Sequence, residues 1–129
     1  QELTTKNGPF IFPTTTPVQF DPEALKASIK RMISFAPERM FLTHFGMVES
    51  PEKLAERLLS QVDVLVRMAH KHRDSANRVS AINSELMAYL LAELDAHGCE
   101  LGITEQRGVI ASDVLLNAQG LDVWLSKTT

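Results

Sequence analysis

Met40-Phe41-Leu42-Thr43-His44-Phe45-Gly46 is the stretch on which the reading of this chain turns. Met40 to Thr43 is short and apolar and lies between Pro37 and Gly46, the pattern of a small buried strand. His44 stands at its mouth, and an imidazole at a strand end is a common way to hold a metal. Nothing near it in sequence completes a site. The residues alone leave two readings open: a strand-end histidine hydrogen-bonded to backbone, or one ligand of a site whose other members lie elsewhere. A lone strand cannot satisfy its own backbone groups. The chain offers scarcely another, so the strand is expected to need partners from outside it.

Working outward, residues 1–20 read as an extended, turn-rich entry. Gly8, Pro9, Pro13 and Pro17 break any regular period there, and Thr14, Thr15 and Thr16 favour extended backbone. Asp21-Pro22-Glu23 is a strong helix start, with an aspartate cap, proline at the first helical position and an acid in the first turn. Leu25, Ile29, Met32 and Ile33 then share one face, and Pro37 is expected to stop the helix. Helix, strand and loop in that order belong to a layered α/β arrangement, where sites gather beyond strand ends.

Downstream, Ser50-Pro51-Glu52 reads as another capped start, and the pattern becomes almost purely helical. One stripe comprises Ala55, Leu58, Leu59, Val62, Leu65, Val66 and Ala69. A second comprises Ile82, Leu86, Met87, Leu90, Leu91 and Leu94, closed by His97-Gly98 as a helix C-terminus. A third segment, from about Thr104 to Ser126, carries Ile110, Val114, Leu115, Ala118, Leu121, Trp124 and Leu125, with Gly120 as a weak point for helix propensity.

The 129 residues, 44% apolar and 22% charged, can bury a real core. A net charge of −3 gathers no nucleic acid, and Lys71, Arg73 and Arg78 make only a small basic patch without stacking aromatics. The apolar runs are too short to cross a bilayer. A start at Gln1 reads as a piece of a longer chain. The single cysteine, Cys99, excludes an internal disulfide and fits a reducing, cytoplasmic compartment. It has no cationic neighbour in sequence except His97, so an inert thiol is expected. Glu85, Glu93, Asp95, Glu100 and Glu105 read as solvated helix faces.

His70-Lys71-His72-Arg73-Asp74-Ser75 has the look of a metal motif, HxHxD. On a helix, however, residues two apart point about 200° from each other. A helical ligand pair would sit three or four apart. Cationic side chains at a helix C-terminus are the better reading.

The run Phe10-Ile11-Phe12-Pro13-Thr14-Thr15-Thr16-Pro17-Val18-Gln19-Phe20-Asp21-Pro22-Glu23-Ala24-Leu25, followed by Met40 to Gly46, resembles the C-terminal part of metallo-β-lactamase-fold hydrolases. The resemblance is to the branch whose chains continue into a helical extension. Asn117-Ala118-Gln119-Gly120-Leu121, with Trp124-Leu125 after it, resembles the last helix of that branch. The similarity runs in order over most of the chain. It implies a four-layer αββα sandwich with two metal ions, zinc or another divalent or iron ion, held by HxHxDH, a further His, a bridging Asp and a last His after the final core strand. Only the last of these has a counterpart, His44. The HxHxDH, the intermediate His and the Gly-Asp bridging motif are missing.

The fold expected is therefore α+β, predominantly α. Residues 1–50 would be the C-terminal remnant of the αββα sandwich, a helix plus one short strand. About three amphipathic helices over 51–129 would form the helical extension. The parent is expected to hydrolyse an ester, thioester, amide, lactone or phosphoester in a small-molecule substrate with metal-bound hydroxide. The resemblance implies that His44 would be a metal ligand, with no catalytic residue expected within this segment. Phe10 and Phe12 are candidates to line the substrate site, the alternative being a hydrophobic clamp that seats the first helix. Alone, the segment is expected to be inactive and to bind no metal, since each zinc wants about four ligands. Its partners would be the missing N-terminal part of the fold and a second copy of itself, with no nucleic acid and no membrane. The alternative is a non-catalytic helical dimerisation module.

Overall fold

The computed structural model describes Leu3 and residues 5–128, so Gln1, Glu2 and Thr4 of the extended entry, and Thr129, lie outside the described residues. The order is α1 (Pro22–Ile33), β1 (Arg39–Leu42), β2 (Gly46–Glu49), α2 (Pro51–Lys71), α3 (Arg78–Ala96) and α4 (Ile103–Thr128). The chain is thus α+β and mostly helical, as expected.

The starts of α1 and α3 follow local chemistry, and that of α2 does not. Asp21 has extended backbone and its carboxylate accepts the Ala24 N–H at 3.0 Å, with Pro22 opening α1. Asn77 caps α3 in the same way through the Ser80 N–H, at 3.2 Å. Ser50 does not cap α2. Its backbone is left-handed (φ 52°, ψ 53°), and its hydroxyl makes no capping bond to the first turn. At the other end of α3 the expected stop is present in detail. Gly98 takes φ +79°, its N–H donates to Asp95 and the Cys99 N–H donates to Leu94, both at 3.0 Å, a Schellman closure. α1 ends at Ile33, before Pro37, with Ala36 in left-handed backbone.

The expected single strand is a hairpin. β1 pairs antiparallel with β2, Arg39 opposite Glu49, Met40 opposite Val48, Phe41 opposite Met47 and Leu42 opposite Gly46. The Phe45 N–H donates to the Leu42 carbonyl at 3.4 Å across the turn, and Gly46 follows at φ +111°. Only glycine adopts that angle readily, so Gly46 opens the returning strand where the sequence had read it as a terminator. The strand is not buried either. Met40, Leu42 and Val48 face a small apolar crevice shared with Ile29 and Ile33 of α1 and with Ala55 and Leu58 of α2. The opposite face is open, with Phe41 77% exposed.

The core lies among α2, α3 and α4. Leu65, Ile82, Leu86, Leu90, Leu94, Ile110, Leu121 and Leu125 have essentially no exposed surface, and Phe10 from the N-terminal loop joins them. Two details of the expected stripes change. Leu115 is exposed, lying off the inward apolar face that Ile110, Val114, Ala118, Leu121 and Leu125 make on α4. Gln61, absent from the α2 stripe, is buried. Arg78 donates to Asp122 at 2.6 Å and to Ser126 at 2.8 Å, locking the start of α3 onto the end of α4.

Candidate functional site

A seam between the entry loop and α4 builds the site around His44. The Thr15 N–H donates to the Asn117 side-chain oxygen at 2.7 Å, and the Thr15 hydroxyl donates to the Asn117 carbonyl at 2.9 Å. The Asn117 amide N–H donates to the Pro13 carbonyl at 3.4 Å. Thr15 and Asn117 are both buried, so these bonds are sheltered from water. Close approach requires Gly120, where a Cβ would stand 1.4 Å from the Thr15 carbonyl oxygen. The glycine that looked like a helix weak point is the place where the loop touches the helix backbone.

With the loop so held, a cleft of about 470 Å³ opens between it, the hairpin turn and α4. The turn contributes Thr43, His44 and Phe45; the loop contributes Phe10, Phe12, Thr14 and Thr16; α4 contributes Val109, Asp113, Leu116 and Asn117. All three residues singled out from the sequence, His44, Phe10 and Phe12, line this one cleft. His44 sits in the turn, two residues beyond β1, and is exposed. Phe10 is buried, packed 6.1 Å from Phe12 and edge-on to His97 at 5.6 Å. The loop therefore forms a wall of the cleft and packs on α4, whereas the clamp reading had it seat the first helix. Its far end also seats against α4, with Phe20 edge-on to Trp124 at 5.8 Å.

Asp113 escaped the sequence reading. Val109, Asp113, Leu116 and Asn117 recur at intervals of three and four, a second stripe on α4 facing the loop, and that period was the available signal. Among the described residues neither His44 nor Asp113 makes an ion pair or side-chain hydrogen bond, so both offer free polar atoms to the cleft. Apolar walls carrying a few such groups suit a small amphiphilic molecule.

The HxHxD run separates as the helical period requires. His70 lies edge-on to Trp124 at 5.3 Å, whereas the His72 ring meets Glu85 of α3. Lys71 also donates to Glu85, at 3.0 Å, and with His72 holds that carboxyl below the usual carboxylate range. Among the described residues no group of three or more His, Cys, Asp or Glu side chains could hold a metal ion. Nor is any described helix long and apolar enough to cross a membrane.

No protein-family model, curated protein or solved structure matches the chain.

Proposed function

We propose that this chain is the C-terminal part of a metallo-β-lactamase-fold hydrolase acting on a small ester, thioester, amide, lactone or phosphoester, in a cytoplasmic setting. The observation that carries the reading is the convergence of His44, Phe10 and Phe12 on one cleft. In this reading His44 is one metal ligand, and residues 1–50 complete a sandwich whose remainder is upstream. A pair of zinc or other divalent or iron ions would supply a water acidified to near neutrality and a Lewis acid. The donor set available here fits one position of such a site. His44 brings an imidazole with no competing hydrogen bond, and the described residues gather no group of three or more ligand side chains around it. The segment's own contribution is thus one ligand and part of the substrate wall, with Asp113 and the threonine hydroxyls as polar points along it.

The test is metal content of the full-length parent beside its H44A variant. The expected result is loss of about one metal equivalent and of hydrolysis in the variant. Unchanged metal content would remove His44 from the ligand set. An upstream reading frame without HxHxDH and Gly-Asp motifs would sink the hydrolase reading itself.

A second reading, a non-catalytic dimerisation module, is favoured by the open outer face of the hairpin. Phe41 and Met47 are cross-strand neighbours there and both are exposed. Light scattering separates the two readings: a module should be a stable dimer that dissociates when Phe41 is removed.

A further inference from the structure

A second cleft, of about 750 Å³, shares only Leu3 with the lining of the first. The entry segment, the end of β2 and the first turns of α2 enclose it, and His97 of the α3 C-terminus forms part of its wall. Lys53 and Arg57 reach it from α2 and, being four residues apart, share one helical face. Neither is in an ion pair among the described residues. Among the described residues Glu49 is the one carboxylate in the lining, against the two cations Lys53 and Arg57.

His97 gives the cleft chemical direction. The residue is only 7% exposed. The Thr5 hydroxyl donates to the Gly8 carbonyl, and its oxygen also lies against His97 Nδ1. A hydroxyl has one proton to give, so this pairing suits a ring protonated on Nδ1, which in the neutral imidazole leaves Nε2 without a proton. Among the described residues Nε2 has no hydrogen-bond partner. Burial, and then the Arg57 charge, hold the imidazole below its ordinary pKa, while Glu93 of α3 opposes them. An incoming dianion would reverse that balance and make protonated Nε2 a donor.

We propose that this cleft binds a phosphate group, with Lys53 and Arg57 as its charge partners and His97 Nε2 as a donor gained by proton uptake. Inorganic phosphate and the phosphoryl group of a small monoester share this chemistry. The proposal does not depend on the hydrolase reading, because His44 and its cleft take no part in it.

Calorimetric titration of the full-length protein at pH 7 with inorganic phosphate, glycerol 3-phosphate and sulfate tests it. Saturable binding of either phosphate is expected, and the tighter of the two identifies the source. R57Q should weaken it about tenfold or more and K53Q less, while R57K keeps most of it. K30Q, on the exposed side of α1, should bind as the parent does. Sulfate does not titrate near neutrality, so proton uptake on its binding, read from two buffers of different ionisation enthalpy, reports His97 and should vanish in H97Q. Absence of saturable binding by all three anions would overturn the proposal, as would equal affinity in correctly folded R57Q. Proton uptake persisting in H97Q would overturn the role of Nε2.

Discussion

The helices α2, α3 and α4 and the β1–β2 hairpin are built by the same chain to opposite standards of burial. In the helical core, Leu86, Leu90 and Leu121 have at most 1% exposure, whereas in and beside the hairpin Phe41 and Phe35 are 77% and 76% exposed. An amphipathic helix needs only one covered stripe, and two neighbouring helices supply the cover. A two-stranded ribbon has two faces and two edges, and here α1 and α2 cover only one face. Among the described residues the three helices cover one another's apolar stripes, whereas the hairpin presents a surface. Function is expected at the hairpin end for that reason, since His44 is held in a turn that the core positions but does not enclose.

The largest effect should come from the seam between these regions. Gly120→Val is expected to cost more than about 4 kcal/mol, because even its Cβ would collide with the Thr15 backbone. Urea unfolding would show this, and a cost under about 1 kcal/mol would mean that the loop does not lie against α4. Within the core, Leu86→Ala should cost about 2–5 kcal/mol in the same assay. A smaller contribution is pH-dependent. His97 has a folded-state pKa below its unfolded value near 6.5, so the unfolded chain binds more protons. Stability should be full above about pH 6.5 and fall as pH drops below it toward the folded pKa; that part of the slope should be missing in H97Q, measured by thermal unfolding against pH. The smallest effect on stability is expected at the open face. Phe41→Ala should move stability by no more than about 0.5 kcal/mol, and a cost like that of Leu86→Ala would show that the face is covered after all.

The helices were legible because their signals are local. Asp21-Pro22-Glu23 marks a start, His97-Gly98 marks a stop, and the spacing of Ile82, Leu86, Leu90 and Leu94 marks a buried face. The hairpin was half legible. Met40 to Leu42 reads as a strand, but Met47-Val48-Glu49 is short and carries no turn dipeptide of the common kind, so Gly46 passed for an ending. Ser50 misled for a related reason: a serine before Pro-Glu looks like a cap, and only its backbone angles reveal otherwise. For the candidate site, the sequence and the family resemblance pointed to His44, Phe10 and Phe12, while Asp113, Asn117 and His97 passed unremarked as site residues. Their roles depend on segments about a hundred residues away, Thr15 for Asn117 and Thr5 for His97.

By itself the sequence determined the four helices, most of their inward stripes and the mostly α character, because periodicity is a property of neighbouring residues. Tertiary structure alone decided that the strand has a partner, that Gly120 is a contact point, and that two separate clefts exist. Those outcomes depend on which distant backbones meet, and no local preference encodes that.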